Sequence, residues 1–126
     1  MFIYNNNFNK LQKIIPNLSQ LPDYLKSTVP GYMDLNLDVL SREQDKLVIA
    51  LSHYYKHPSG DMIPDPDMTM EVHLVNETVE ALTYQDIYFY NDVYANGSKD
   101  MKTSVDLNRF LSTWLTNLIE QGHVLS

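Results

Sequence analysis

The sequence predicts an α+β fold in which a four-stranded antiparallel sheet, a meander, is flanked by an N-terminal and a C-terminal amphipathic helix. Three observations predict it. Apolar residues recur at helical spacing near both ends, apolar and polar residues alternate in the middle, and turn-forming residues separate these segments. A chain of 126 residues is long enough to bury one hydrophobic core, so we predict a single domain over residues 1–126.

Helical periodicity defines both terminal elements. An apolar stripe predicts a first helix over residues 7–15, which a proline ends. A longer stripe predicts the last helix over residues 107–119, with Asp106 or Ser104 as its N-cap. Three prolines fall within residues 16–30, which we therefore predict to be an irregular connector.

Alternation with a period of two predicts the strands. In chain order they are residues 33–39, 47–55, 68–74 and 79–90. The second also fits helical spacing behind a capping box at Ser41 and Gln44, so a helix over residues 47–55 stays an alternative. Residues 57–67 are dense in proline, glycine and aspartate and are predicted to be a loop. The last strand is long, so we expect a bulge near Gln85 or Asp86.

Composition excludes several classes of function. The formal net charge of -7 and the pI near 4.8 repel nucleic-acid phosphates, so nucleic acid is not an expected partner. The absence of cysteine rules out disulfides, thiolate nucleophiles and Cys-ligated zinc. No apolar stretch approaches the roughly 20 residues of a membrane span, and the first ten residues lack the pattern of a signal peptide. We therefore predict a cytoplasmic protein without a membrane partner.

Three stretches together resemble the YqiB-like family of bacterial proteins, a domain of unknown function. They are residues 7–16, 66–74 and 107–115, the last with an Asn-x-Phe-Leu-x-x-Trp-Leu spacing, and Tyr94-Ala95-Asn96 also matches a Tyr-x-Asn of that family. The sequence departs from the family at Glu71 and His73, where an Arg is common, and at residues 102–104, where a charged run is usual. The resemblance implies one bacterial domain with terminal helices, and it implies no known activity or cofactor.

The histidines and aspartates of the central region raise the possibility of a metal site. His53 and His57 precede Asp61, Asp65 and Asp67. On a strand the two histidines lie about 13 Å apart, too far to share one ion, whereas on a helix they would be neighbours. The aspartates also lack the glycine and terminal glutamate of a calcium-binding loop. We therefore predict no metal site and no cofactor.

Catalytic motifs are absent from the sequence. Glu71 and His73 share the polar face of a predicted strand, but any half-exposed strand has this appearance. There is no nucleophile elbow, phosphate-binding loop or dinucleotide fingerprint. We expect a non-catalytic protein, although a site assembled from residues scattered in sequence stays open.

Tyrosine is the most unusual feature of the composition, with nine residues in 126. Tyr84, Tyr88 and Tyr90 share one parity of the last predicted strand, and Tyr94 follows it. Many of these rings will serve the core, because aromatic residues pack well against strands. The functional alternative is a binding surface, since tyrosine gives contact area at low entropic cost. The candidate binding residues are Tyr84, Tyr88, Tyr90, Tyr94 and His73.

We expect an accessory or protein-interaction domain that uses the open sheet face or the Pro-Asp-rich loop over residues 57–67. A free edge strand could also mediate homodimerisation. The alternative is a small-ligand-binding protein or minor hydrolase with its site between the sheet and that loop. A deep pocket lined by Tyr and His would favour the alternative, and a flat apolar patch would favour protein binding.

Overall fold

The structure is a computed structural model that describes residues 2–126. Helix α1 spans Phe2–Ile14, a short 3₁₀ helix spans Leu18–Gln20, and helix α2 spans Met101–Gln121. Six strands lie between the helices: β1 (Tyr24–Ser27), β2 (Leu35–Arg42), β3 (Lys46–Lys56), β4 (Met62–His73), β5 (Thr78–Gln85) and β6 (Tyr90–Asp92).

The six strands form one antiparallel sheet in the order β1-β2-β3-β4-β5-β6. The predicted α+β class with two terminal helices and an antiparallel meander is therefore confirmed, but the predicted number of four strands is wrong. One additional strand, β1, lies in the connector that was expected to be irregular. The other, β6, arises because the long strand predicted over residues 79–90 is divided by a turn.

The predicted loop over residues 57–67 is also shorter than expected. Residues 62–67 already belong to β4, although they include Pro64 and Pro66. The pairing of the strands explains why these prolines are tolerated, because β5 pairs with β4 only from Asp67 onward. Before that residue β4 pairs with β3 alone and is an edge, where proline is accepted.

The remaining elements have the predicted types, but the ends of the two helices differ from the predicted ones. Residues 47–55 lie in β3, so the helical alternative is wrong. Helix α1 begins five residues before the predicted start at residue 7. Helix α2 begins at Met101, and its N-cap is Asp100, whose carboxylate accepts a hydrogen bond from Thr103 N at 3.1 Å. The expected caps, Ser104 and Asp106, instead lie within the first turns.

Both helices pack on one face of the sheet and against each other. Asn7 donates to the Asn108 carbonyl and Lys10 to the Ser112 hydroxyl, so the two helices run parallel. One hydrophobic core fills the space between helices and sheet, and its largest fully buried side chains are Leu11, Ile14, Ile15, Leu35, Leu37, Ile49, Leu51, Met68, Met70, Leu111, Leu115 and Leu118.

A bulge in β5 fixes how α2 meets the sheet. The register with β4 shifts between Ala81 and Thr83, which leaves Leu82 as the extra residue. The Ala81 N–H donates to Asn108 Oδ1 at 3.0 Å, and the Leu82 carbonyl accepts from Val93 N at 2.9 Å. The bulge therefore lies three or four residues before the predicted position at Gln85 or Asp86, and the side-chain amide of Asn108 satisfies the backbone there.

Candidate functional site

The turn between β5 and β6 carries a run of large apolar side chains in solvent. We call residues 86–90 the aromatic turn. The exposed fractions are 48% for Ile87, 82% for Tyr88, 64% for Phe89 and 62% for Tyr90. Single exposed apolar residues are common on proteins, but a contiguous group is typical of an interaction surface.

Asp86 determines the backbone conformation of the aromatic turn. Its Oδ1 accepts hydrogen bonds from Tyr88 N at 2.8 Å and from Phe89 N at 2.9 Å. Its own N–H donates to the Phe89 carbonyl at 2.9 Å. Its Oδ2 accepts from the Tyr84 hydroxyl at 2.6 Å. That hydroxyl, and then the two backbone donors, lower the pKa of Asp86 and keep it ionised as the acceptor of three bonds.

Tyr84 supports the turn from the helix-covered side of the sheet. Its ring packs edge-on against Phe110 of α2, with 5.1 Å between ring centroids. Burial, and then the hydrogen bond to Asp86, raise the pKa of Tyr84 to about 12. Helix α2 is thereby connected through Tyr84 and Asp86 to the exposed rings, and these rings are held in place rather than left on a free loop.

The stretch of sequence that contains the turn is acidic. Residues 57–98 contain no lysine or arginine. They contain eight of the sixteen carboxylates of the chain: Asp61, Asp65, Asp67, Glu71, Glu77, Glu80, Asp86 and Asp92. This charge segregation, together with the unbroken apolar run after Asp86, is the signal in the sequence that points to the turn.

The structure separates the candidate residues chosen from the sequence. Tyr88 and Tyr90 lie in the aromatic turn, and Tyr94 is exposed just after β6. Tyr84 faces the helices, whereas Tyr90 pairs with Gln85 and lies on the opposite face of the sheet. The expectation that Tyr84 and Tyr90 share one face of an unbroken strand is therefore wrong. His73 lies at the end of β4 that is far from the aromatic turn, about 20 Å from Asp67 at a rise of about 3.3 Å per residue. The sequence interpretation missed Ile87 and Phe89.

A second surface lies on the sheet face opposite the helices. We call it the open-face trough; Tyr24 and Asp38 border its two adjoining depressions of about 720 and 410 Å³. Tyr54 and Asp67 border the other side, and the Tyr54 hydroxyl donates to Asp67 Oδ2 at 2.7 Å. The side chain at the centre of the trough, on β3, is the small Ala50. The trough is shallow, unlike the deep Tyr- and His-lined pocket that would mark a ligand site.

Negative charge in the trough is not compensated within residues 2–126, where no cation forms an ion pair with Asp38 or Asp67. The nearby cations are engaged elsewhere: Lys26 pairs with Asp34 at 3.3 Å, and Arg42 with Asp23 at 3.0 Å. Burial, and then the Asp67 charge, raise the pKa of Asp38. Burial and the hydrogen bond to Asp67 raise the pKa of Tyr54 to about 12. The trough therefore favours a cationic group.

The residues considered for metal binding or catalysis are used locally. His53 Nδ1 lies 2.8 Å from the Asp34 carbonyl, and His57 Nδ1 lies 2.9 Å from the Ser59 hydroxyl. His73 Nε2 lies 2.7 Å from Glu71 on the polar face of β4. Within the part of the chain that the structure describes, no three His, Asp or Glu side chains are grouped as metal ligands.

Neither of the two long helices provides a membrane span, since no helix within residues 2–126 combines the required length and apolar character.

Comparisons with known proteins identify a family. The model of a domain of unknown function, DUF6908, matches residues 6–124. No curated protein and no solved structure matches the chain. The match extends from α1 to the segment after α2, so it includes both surfaces described above. The resemblance to the YqiB-like family stays a prediction.

Proposed function

We propose that this chain, which belongs to the DUF6908 family of domains of unknown function, is a non-catalytic protein-interaction domain that presents its aromatic turn to a partner protein. The observation that carries the proposal is the exposure of four consecutive apolar side chains, Ile87 to Tyr90, on a turn that Asp86 holds rigid.

The energetic argument concerns the apolar area of the turn. Each Å² of apolar surface removed from water contributes about 25 cal/mol, so leaving these rings in solvent forgoes a large stabilisation. Aromatic residues are enriched at the centres of interfaces, where they fill pockets of the partner. Because the turn is already ordered, binding would cost little conformational entropy.

The charge of the region specifies the partner. The absence of lysine and arginine from residues 57–98, with eight carboxylates there, favours a partner whose apolar cleft is bordered by basic residues. We further propose a bacterial, cytoplasmic setting, which the YqiB-like resemblance and the sequence pattern support. Homodimerisation through a sheet edge is less favoured, because the edge strands β1 and β6 have four and three residues.

The test is site-specific photocrosslinking in the native host. A photoreactive phenylalanine analogue replaces Tyr88 in one variant. In the matched control the same analogue replaces Tyr32, which is also an exposed tyrosine. We expect one discrete crosslinked protein from position 88 and none from position 32. Added wild-type domain should compete for it, and the variant Tyr88→Ser/Phe89→Ser should not.

The variant must also be shown to fold. The two substitutions lie in solvent, so we expect its unfolding free energy to stay within about 0.5 kcal/mol of wild type. Equal crosslinking from positions 88 and 32, or undiminished competition by the folded double variant, would contradict the proposal. A crosslink from position 88 only to a second copy of the chain would show that the turn is a homodimer contact.

A second candidate, a small-ligand-binding protein, is favoured by the open-face trough. The ligand would be an organic cation, because Asp38 and Asp67 lack cationic partners within residues 2–126 and Tyr54 adds an aromatic ring. Titration calorimetry with spermidine tests this candidate. Saturable binding that Asp38→Asn/Asp67→Asn abolishes and Tyr88→Ser/Phe89→Ser preserves would support it. An identical heat for wild type and Asp38→Asn/Asp67→Asn would exclude it.

A further inference from the structure

Two histidines that are distant in sequence lie together under the C-terminal segment. His53 of β3 is 6% exposed and His123, just after α2, is 2% exposed. Their ring centroids are 6.0 Å apart. The His53 ring also meets Trp114 of α2 edge-on at 5.5 Å. Buried imidazoles in mutual contact are unusual, because protonation of either one places a charge in a medium of low polarity.

The same segment is fastened to two other elements. His123 Nδ1 lies 2.9 Å from the Ser27 hydroxyl of β1, and Val124 N donates to that hydroxyl at 3.2 Å. Leu125 is buried, and its N–H donates to the Ile14 carbonyl at the end of α1 at 2.7 Å. His123, Val124 and Leu125 therefore together hold residues 122–126 against β1 and α1.

The hydrogen bonds around the pair favour neutral rings. His123 Nε2 is buried and has no hydrogen-bond partner among residues 2–126, whereas the backbone of Met33 beside the ring favours the protonated form and opposes this preference. His53 Nδ1 donates to the Asp34 carbonyl, since a carbonyl oxygen only accepts. Burial, and then the adjacent His53 ring, lower the pKa of His123.

The charged groups near the pair oppose this preference only weakly. The Asp34 carboxylate would favour a protonated His123, but it is 41% exposed and is paired with Lys26 of β1 at 3.3 Å. From the other elements, the pair meets the uncharged Trp114 of α2 and Ser27 of β1.

We infer that His123, packed against His53, forms an acid-sensitive latch, which holds residues 122–126 on β1 and α1 while the His123 ring is neutral and releases them when that ring is protonated. In the unfolded or released segment a histidine titrates near 6.5. Because the closed state favours the neutral ring, the closing free energy is fully present above about pH 6.5 and falls as pH decreases below it.

The experiment follows the Leu125 amide of the intact chain by hydrogen exchange between about pH 7.5 and pH 5. After correction for the intrinsic pH dependence of exchange, we expect Leu125 protection to fall about tenfold or more as the segment opens at acidic pH. The Ser104 amide, bonded to the Asp100 carbonyl at the other end of α2, should keep its protection. Trp114, the only tryptophan, should change its fluorescence over the same range.

Matched variants separate the latch from general acid sensitivity. His57→Asn and His73→Asn, at the two exposed or half-exposed histidines, should leave the loss of Leu125 protection unchanged. His53→Asn/His123→Asn should remove its pH dependence. Constant Leu125 protection in the wild type, or an unchanged pH dependence in the folded double variant, would overturn the inference.

A measurement on the wild type covers the case in which the double variant does not fold. The imidazole carbon-bound protons of all four histidines are followed by NMR over the same pH range. We expect His123 to titrate at the midpoint of the Leu125 transition. Titration of His123 while Leu125 stays protected would show that ring protonation does not open the segment, and the latch would be wrong.

Discussion

Two parts of β5 place residues in environments opposite to their usual ones. At its middle, the polar side chain of Asn108 lies in the core against the bulge at Leu82, and the buried side chain of Asn7 donates to the Asn108 carbonyl. Just past its end, the apolar side chains of Tyr88 and Phe89 lie in solvent. The two regions are close in sequence, and both are organised by a side chain that accepts backbone hydrogen bonds.

The difference between them lies in where their partners are. Asn108 Oδ1 accepts from Ala81 N, and its Nδ2 donates to the Ser104 carbonyl at 2.8 Å, while its carbonyl accepts from Asn7. The oxygen and nitrogen of the Asn108 side chain are both satisfied inside the chain, so this buried amide is explained by the fold, whereas Asn7 Oδ1 has no partner within residues 2–126. The rings of the aromatic turn are not buried in this way within residues 2–126. They therefore contribute little to stability, and their exposure is typical of an interaction surface.

Removing the buried amide should have the largest effect on stability. Asn108→Ala leaves the Ala81 N–H and the Ser104 carbonyl without this partner in the core, so we expect a loss of about 3 kcal/mol in the free energy of unfolding. Urea denaturation measures it. The control is Asn117→Ala on the exposed side of the same helix, which should cost less than about 0.5 kcal/mol. Equal effects of the two substitutions would show that the bulge does not depend on Asn108.

The predictability of the fold follows the strength of the local pattern. The long stripes of α1 and α2 repeat over several turns, so their type could be predicted from the sequence alone, whereas the apolar run of β3 also fits helical spacing and left its type open. The short strands β1 and β6 form because each pairs with the edge of a neighbouring strand. The residue preferences of such short segments indicate little about this pairing. The proline-containing start of β4 was missed for the same reason, since its tolerance depends on the absence of β5 beside it.

The candidate site shows the same limit. The tyrosine content points to Tyr88 and Tyr90, which lie in the aromatic turn, but the pattern places Ile87 and Phe89 within a strand. Only Asp86 marks the turn, because residues 87–90 contain none of the usual turn formers. The placement of Asn108 against Ala81 depends on how α2 crosses the sheet, which sequence spacing does not determine.

The aromatic turn itself is tested by its organising carboxylate. Asp86→Ala removes the acceptor of Tyr88 N and Phe89 N, so we expect faster hydrogen exchange of both amides and a smaller loss of stability than for Asn108→Ala. Asp86→Asn keeps an oxygen acceptor and should lie between Asp86→Ala and wild type. The exposed Asp65→Ala serves as the control for removing a negative charge nearby. Unchanged exchange in Asp86→Ala would mean that the turn is held by other contacts.

The smallest expected effect appears only at alkaline pH. The pKa of Tyr84 is raised to about 12, so the folded state favours the neutral hydroxyl over the ionised one. An unfolded tyrosine ionises near 10, so this contribution to stability is complete below pH 10 and is lost as pH rises toward 12. Because Tyr54 behaves in the same way, Tyr84→Phe should flatten the decline in part and Tyr54→Phe/Tyr84→Phe should flatten it further. Tyr88→Phe, in the exposed part of the turn, should leave the decline unchanged. Urea denaturation at several alkaline pH values measures these slopes, and an equal slope for Tyr84→Phe and wild type would show that folding does not raise the pKa of Tyr84.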